Sequence, residues 1–266
     1  MCTVSFLPRH QGFYLAMNRD EKLGRSRALA PTIVDIGNRR AVFPSEPTGG
    51  TWISANEAGV CLALINSHRI QRMPKNDSVT RGSVVRELAG KSTANEIAAA
   101  VEKLPLRKLR PFRLIAIVPG EKRIIEWRWN LQLLAVRNYE WQRQHWFSSG
   151  FDEHRAERVR AKVCASFVAG GDNPSKGETS RGRRRAGVNA AACSLNTLRQ
   201  LHRSHVPKRG PFSICMHRSD AGTVSYTEIA VSRRRAIMRY KPGRCCSNGT
   251  TVSITIPLTP NGDRQE

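Results

Sequence analysis

The sequence predicts an α+β fold in which antiparallel sheets carry both ends of the chain. Three observations support this prediction. Alternating apolar residues begin at residue 2, helical signals are grouped between about residues 82 and 104, and β-rich segments return after residue 112. Strands at both ends with helices grouped between them are typical of α+β proteins. No internal repeat is visible, so we expect residues 1–266 to form a single domain.

The first predicted element is a hairpin. Residues 2–7 alternate as a strand does, PRHQG supplies a turn, and GFYLAMN resumes the alternation. A turn centred on His10 pairs Cys2 with Asn18, which places the NRDE segment at 18–21 beside the thiol of Cys2. A slip of one residue in this register turns Asn18 to the other face.

The next elements are a second hairpin, two helices and a meander. The segments GGTWIS and VCLALIN flank a turn at NEAG, and the apolar run of the second segment, which ends at Asn66, implies a strand covered on both faces. SVVREL is helical, and Thr93 and Glu96 have the spacing of a capping box at the start of another helix. FRLIAIV, RIIEWRW and LQLLAV then form a predicted meander.

The C-terminal part is predicted as a helix, a loop and a group of strands. The helix covers about residues 152–168, and the segment 170–189 is predicted to be a flexible loop. The basic run RGRRR at 181–185 lies in that segment and is interpreted as a solvated loop, with an anion-binding loop as the alternative. FSICM, TVSYTEIAV, AIMRY and TVSITI are the predicted strands.

Charge and hydropathy exclude several classes of protein. The net charge is +23, from 44 Lys and Arg against 21 Asp and Glu, and this predicts non-specific adhesion to nucleic acid. No zinc-finger spacing, RNP-like strand or recognition helix is visible, so we expect no specific nucleic-acid partner. No apolar run is long enough to span a membrane, and the first residues do not resemble a secretory signal. We therefore expect a cytoplasmic protein.

Cysteine usage predicts reduced thiols and no metal site. Seven cysteines are an odd number, and no CxxC pair occurs. Cys245 and Cys246 are adjacent, and Cys215 and His217 share a face of a predicted strand, yet neither pair alone supplies a tetrahedral ligand set. We predict neither a metal nor another cofactor.

Cys2 is the candidate catalytic residue. Removal of Met1 would leave a thiol and a free α-amine on one residue, and an amine with a pKa near 8 can act as a base toward the thiol. Arg19 is the candidate cation that lowers the thiol pKa, and Asp20 is positioned to orient the amine. Asn66 is the candidate donor to an oxyanion.

Each of these residues also has a purely structural interpretation. Cys2 fits a small apolar position at the start of a strand. Arg19 and Asp20 fit the polar end of a strand, and Asn66 fits the cap of a buried strand. The joint arrangement of the four residues favours the catalytic interpretation.

Three segments carry a resemblance to a known family. They are the MCT start, NRDE followed by RALAP, and GGTWISANEAGVCLALINSHR at 49–69, with a weaker likeness in ICMHRSDAGTVSYTEIAV. Together they resemble the NRDE family, which includes the transport and Golgi organisation protein 2 homologues. That family is similar to the N-terminal nucleophile hydrolases of the penicillin V acylase and bile salt hydrolase type.

The resemblance implies a fold and a set of roles. The fold is a four-layer αββα sandwich with two antiparallel sheets face to face. In such hydrolases the exposed N-terminal cysteine attacks an amide, an Arg and an Asp lie beside it, and an Asn after a later strand helps to form the oxyanion hole. Cys2, Arg19, Asp20 and Asn66 occupy the corresponding places.

The sequence departs from that pattern at two points and leaves a third correspondence open. Arg19 and Asp20 are adjacent, so strict alternation points them to opposite faces unless the strand bulges. A second Asn of the hydrolases is missing, which leaves Ser149 or a backbone NH as a substitute. A further late Arg of the hydrolases corresponds to Arg158 or Arg160.

Three functions follow, in order of preference. The first is a cytoplasmic N-terminal cysteine amidohydrolase that acts on a small amide or acyl compound. The second is a non-catalytic protein of the same fold that binds or carries a haem-like or lipid-like small molecule, with Cys2, Cys215 or His217 as possible iron ligands. The third is a basic nucleic-acid binder. The sequence leaves the substrate and the oligomeric state open.

Overall fold

The computed structural model describes residues 2–68, 79–169 and 194–259. The strands in these ranges are β1 (Cys2–Arg9), β2 (Gly12–Lys22), β3 (Leu29–Ile36), β4 (Arg39–Ser45), β5 (Ile53–Asn56), β6 (Cys61–Asn66), β7 (Phe112–Val118), β8 (Arg123–Trp129), β9 (Leu134–Tyr139), β10 (Gln144–Ser148), β11 (Ala221–Val231), β12 (Arg235–Pro242) and β13 (Val252–Pro257). The α-helices are α1 (Gly82–Leu88), α2 (Ala94–Glu102), α3 (Glu153–Ala169) and α4 (Leu195–Arg203). The predicted loop at 170–189, with the basic run at 181–185, lies outside the described residues.

The strands build two antiparallel sheets that pack face to face. The first has the spatial order β10-β1-β2-β11-β12-β13 and the second β3-β4-β5-β6-β7-β8-β9. All of their strand pairs are antiparallel. Phe6 and Met17 from the first sheet are fully buried in one core with Ile53, Ile65 and Ile115 from the second. Burial stabilises a side chain of this size by about 1.5–3 kcal/mol, so this core holds the sheets together.

Helices cover the outer face of each sheet. Leu88 of α1 and Ile97 of α2 pack against Leu62 of the second sheet. Leu198 of α4 packs in a separate cluster with Phe147 of the first sheet. The layers therefore run helix, sheet, sheet, helix, which confirms the predicted αββα sandwich. Within the described ranges, no helix combines the length and apolar character needed to cross a membrane.

The register of the first hairpin differs from the prediction by one residue. Arg9 pairs with Gly12, so the turn contains two residues rather than a single central one, and Cys2 lies opposite Arg19 instead of Asn18. Gly12 has a φ of +110°, and a Cβ at this position would lie 1.9 Å from the carbonyl oxygen of Val231. Glycine is therefore required at the turn, and it fixes the register that brings Arg19 to Cys2.

The predicted start of α2 is confirmed. The Thr93 hydroxyl accepts a hydrogen bond from the NH of Glu96 at 3.1 Å, as an N-cap side chain does. The carboxylate of Glu96 accepts from the NH of Ser92, one residue before the cap, at 2.8 Å. The two bonds together satisfy backbone donors that the first turn leaves free.

The segment FSICM is not a strand, contrary to the prediction. The Ser213 hydroxyl donates to the carbonyl oxygens of Gly210 and Cys215, at 2.9 and 2.6 Å, and this local bonding holds the segment as turns. The sequence analysis also missed β3, β4, β10 and α4. A readable signal existed for α4, because Ser194 caps it and Leu198 and Leu201 follow at helical spacing.

Candidate active site

Cys2 starts β1 with its side chain turned toward the space between the sheets. The residue is 6% exposed and belongs to the core cluster between the sheets. It lines a cavity of about 270 Å³ together with residues of β2, β6 and the segment before α1. Burial raises the pKa of the thiol above its ordinary value. The backbone NH of Asp20 hydrogen-bonds the sulfur and acts in the opposite direction.

Arg19 lies directly opposite Cys2 and lines the same cavity. Its guanidinium carbon is 4.3 Å from the ring centroid of Trp52, at the distance of a cation–π contact. Its Nη2 atom is 2.5 Å from a carboxylate oxygen of Glu46 and 3.7 Å from one of Glu21. These contacts hold the guanidinium in one orientation beside the thiol, whose pKa it lowers more weakly than burial raises it.

Asp20 points to the opposite face of β2, toward the helices. One carboxylate oxygen accepts a hydrogen bond from the Thr223 hydroxyl at 2.6 Å, and the other lies 3.4 Å from Nη2 of Arg160. Desolvation raises the pKa of Asp20, although Arg160 lowers it in part. Arg19 and Asp20 thus diverge as alternation requires, because the bulge in this region lies on β11 and not on β2.

Arg160 connects Asp20 to the backbone of the candidate nucleophile. Its side chain is fully buried, and Nη1 donates to the Thr3 hydroxyl at 3.1 Å and to the carbonyl oxygen of Cys2 at 3.4 Å. Arg158, the other candidate from the sequence, is exposed on the same helix. Arg160 is therefore the late arginine that approaches the site.

Asn66 ends β6 and lines the cavity that Cys2 lines. Its side chain is partly exposed, so the amide is accessible from that cavity. The structure brings Cys2, Arg19 and Asn66 together around one space. Asp20 also lines this space, but its carboxylate is hydrogen-bonded to Arg160 and Thr223.

Ser148 is a candidate residue that the sequence analysis passed over. It pairs directly with Cys2 across β1 and β10, and its hydroxyl is buried with no hydrogen-bond partner in the described part of the chain. Ser149, the substitute expected from the sequence, donates its hydroxyl to the carbonyl of Phe151 at 2.6 Å and accepts from the NH of the same residue. A free buried hydroxyl opposite the candidate nucleophile is the better candidate to replace the missing Asn.

Arginines are prominent in the lining of the Cys2 cavity. Arg25, Arg81 and Arg110 line it, and burial together with Arg110 lowers the pKa of Arg81 to about 10. A second cavity of about 570 Å³ shares Arg19, Glu21 and Arg25 with the first. The second cavity is also lined by further basic residues, namely Lys22, Arg27 and Arg244. Such a lining favours a ligand that carries negative charge.

Asn18, expected beside Cys2, lies instead in a buried network on the helix side of the sheet. Its amide nitrogen donates to the carbonyl oxygens of His202 and Ile214, both at 2.9 Å. Nδ1 of His202 lies 3.1 Å from the Asn18 amide oxygen, and Nε2 lies 3.0 Å from the Ser5 hydroxyl. The network joins α4 to β1 and β2. Asn18 therefore has a structural role in this fold.

Acid is expected to destabilise the protein through His202. Burial lowers the pKa of this histidine to about 3, so between pH 6.5 and about 3 the unfolded chain binds a proton that the folded chain does not. Folding stability should therefore fall as the pH drops, by roughly 2 kcal/mol between pH 7 and pH 5 from this group. Urea unfolding at several pH values measures the slope of the free energy of unfolding against pH. His202→Gln should flatten it, and an unchanged slope would contradict this assignment.

A second polar cluster lies between α4, β11 and the β12–β13 connection. His205, Cys215, His217 and Cys246 place their ligating atoms within 4.8 Å of one another. Hydrogen bonds from Cys245 and Cys246 lower the pKa of the Cys215 thiol, against the effect of burial. The sequence analysis judged each Cys-containing pair separately, whereas the fold brings the pairs together.

Comparison with known proteins gives a family and a fold. A family model described as Transport and Golgi organisation 2 matches residues 1–162. Penicillin V acylase from Agrobacterium tumefaciens is similar in structure with a TM-score of 0.57 and 12% identity, over 97% of this chain and 86% of that chain. A mutant of conjugated bile acid hydrolase from Clostridium perfringens is similar in structure with a TM-score of 0.51 and 12% identity, over 98% of this chain and 97% of that chain. At such identities the likeness concerns the fold. No curated protein matches the chain by sequence.

Proposed function

This chain belongs to the Transport and Golgi organisation 2 family, and from that premise we propose that it is an N-terminal cysteine amidohydrolase. The substrate is a small amide or acyl compound that carries a negative charge. The observation that carries the proposal is the Cys2 thiol at the wall of a cavity, directly opposite Arg19 and on the same cavity as Asn66. The fold likeness to an acylase and a hydrolase supports the same reaction class.

Catalysis begins after removal of Met1. The α-amine of Cys2 then accepts the thiol proton, and the sulfur attacks the carbonyl carbon of the amide. The negative charge that develops on the carbonyl oxygen is stabilised by the Asn66 amide and the Ser148 hydroxyl. One such donor typically contributes a factor of about 10²–10³ to the rate.

The intermediate collapses by breaking the C–N bond. The ammonium group of Cys2 gives its proton to the leaving amine, and a thioester between substrate and sulfur remains. Water, deprotonated by the same amine, attacks the thioester. The acid is released, and the proton returns to the thiol, so Cys2 is regenerated without another reactant.

Two positioning groups support this chemistry. Arg160 bonds the carbonyl oxygen of Cys2 and is itself paired with Asp20, which fixes the backbone of the nucleophile. Arg19, held against Trp52 and Glu46, supplies positive charge near the thiolate. The charge lowers the cost of forming the thiolate in a buried place.

The proposal places the reaction in the cytoplasm. The six cysteines in the described ranges are free thiols, as expected in a reducing compartment. A catalytic thiol also has to remain reduced.

Alkylation and mass measurement test the proposal. We expect the purified protein to lack Met1, and iodoacetamide near pH 7.5 to alkylate Cys2 faster than the fully buried Cys61. Peptide mapping measures both rates. Cys2→Ala should lose the fast reaction, and Cys61→Ala, as the matched control, should keep it. Retention of Met1, or equal labelling of Cys2→Ala and wild type, would contradict the mechanism.

A carrier function is the second candidate, and the size of the neighbouring cavity favours it. The space of about 570 Å³ lies beside the Cys2 cavity and combines basic residues with Leu23, Ala28 and Tyr240. It suits an amphipathic anion, of which a fatty acid or haem is an example. Titration with each ligand, for haem by the Soret band, distinguishes the candidates: a carrier binds the ligand and releases no product, whereas a hydrolase releases product and loses this turnover in Cys2→Ala.

A further inference from the structure

The cluster formed by His205, Cys215, His217 and Cys246 has the composition of a metal site. The two imidazoles and two thiols come from three separate segments: the end of α4, the turns before β11, and the β12–β13 connection. Cys215 is buried and the other three are partly buried. Two nitrogen and two sulfur ligands form a set that structural zinc sites use.

Three of the six distances within the cluster are close to those of a tetrahedral site, and all six are within 4.8 Å. Nε2 of His205 and Nε2 of His217 are 3.0 Å apart. The sulfur of Cys215 is 3.7 Å, and that of Cys246 is 3.5 Å, from Nε2 of His217. Zinc bonds of about 2.0–2.1 Å to nitrogen and about 2.3 Å to sulfur give edges of about 3.3 Å between nitrogens and about 3.6 Å between nitrogen and sulfur. The cluster matches both edges within about 0.3 Å.

The orientation of the side chains also fits coordination. The Nε2 atoms of His205 and His217 lie 3.0 Å apart, and in a neutral imidazole that is protonated on Nδ1 the Nε2 atom is free to bind a metal. The adjacent Cys245 contacts the sulfur of Cys215, and it also donates to the carbonyl oxygen of His202 at 2.8 Å. The bond to His202 distinguishes it from Cys246, whose sulfur lies 3.5 Å from Nε2 of His217.

The place of the cluster in the fold gives a metal ion a structural role. The turns that hold Cys215 and His217 also carry the carbonyl of Pro211, which lies 3.5 Å from Nη2 of Arg160. The NH of Met216 donates to Thr223, whose hydroxyl binds Asp20. An ion at the cluster therefore fixes the segment that surrounds the Asp20–Arg160 pair.

We propose that His205, Cys215, His217 and Cys246 bind one Zn²⁺ ion as a structural site separate from the Cys2 cavity. A tetrahedral site with two sulfurs and two nitrogens favours zinc over harder cations such as Mg²⁺ or Ca²⁺. The ion links the segment after α4 to the β12–β13 connection. Binding requires both sulfurs as thiolates, so it releases to solvent whatever protons they still carry.

The test uses the full chain without a polyhistidine tag, purified under reducing conditions. Elemental analysis of the wild type should find one zinc per chain. Exchange with Co²⁺ should give thiolate charge-transfer absorption in the near ultraviolet and the intense visible bands of tetrahedral Co²⁺. Cys215→Ser and Cys246→Ser should lose both signals, whereas Cys61→Ser, which removes a buried thiol elsewhere, should keep them.

Two outcomes overturn the site. One is a wild type that takes up neither Zn²⁺ nor Co²⁺, and the other is Cys215→Ser with the metal content of the wild type. If the serine variants do not fold, the Co²⁺ spectrum of the wild type decides alone. Cys2→Ala should retain full metal content, so failure of the zinc site and failure of the hydrolase proposal are separate results.

Discussion

Arg160→Met is expected to lower the free energy of unfolding by about 3–5 kcal/mol, because it leaves the Asp20 carboxylate buried without its cation. The variant also removes the bonds from Arg160 to Thr3 and to the carbonyl of Cys2. Urea unfolding followed by circular dichroism measures the loss.

Arg158→Met is the matched control for this prediction. Arg158 lies two residues earlier on the same helix and is exposed, so its replacement should change stability by no more than about 0.5 kcal/mol. The double variant Asp20→Asn, Arg160→Met should recover part of the loss, since it removes both charges. Equal losses for Arg158→Met and Arg160→Met would refute the buried pair as the cause.

Asn66→Ala is expected to slow acylation of Cys2 by about 10²–10³-fold, as loss of one oxyanion donor does. The release of p-nitrophenol from an activated ester, in the first turnover, measures this step. Ser148→Ala should slow the same step, because its hydroxyl lies opposite the nucleophile.

Alkylation by iodoacetamide is the internal control for these variants. Displacement of iodide develops no oxyanion, so Asn66→Ala should react with iodoacetamide at the wild-type rate. A parallel fall of acylation and alkylation would mean that Asn66 only supports the structure around Cys2. Unchanged acylation would remove Asn66 from the proposed oxyanion hole.

The resemblance to a known family predicted the layers of the fold, and local patterns predicted the strands that carry Cys2, Arg19 and Asn66. Alternation in the first hairpin and the long apolar run that ends at Asn66 were sufficient for these strands, because both are local signals. The hairpin register failed by one residue, since it depends on the turn geometry at Gly12 and on the approach of Val231, a contact between residues far apart in sequence. The error mattered, because register decides whether residue 18 or residue 19 lies beside Cys2.

The remaining parts of the site depend on distant contacts. Ser148 can be recognised as a candidate only from the pairing of β10 with β1. The choice of Arg160 over Arg158 requires knowing which side of α3 faces the sheet. The cluster at His205 joins segments about 40 residues apart along the chain. No single segment of the sequence has the ligand spacing of a metal site. Neither the pair Cys215 and His217 nor the pair Cys245 and Cys246 supplies four ligands alone.

Three residues, Arg19, Glu21 and Arg25, border both cavities, and Glu46 pairs with both of these arginines. Under the proposed hydrolase function, single substitutions at these shared residues should therefore change which acyl groups fit, without any change in the strand that carries Cys2. We expect relatives with different substrates to diverge first at these positions.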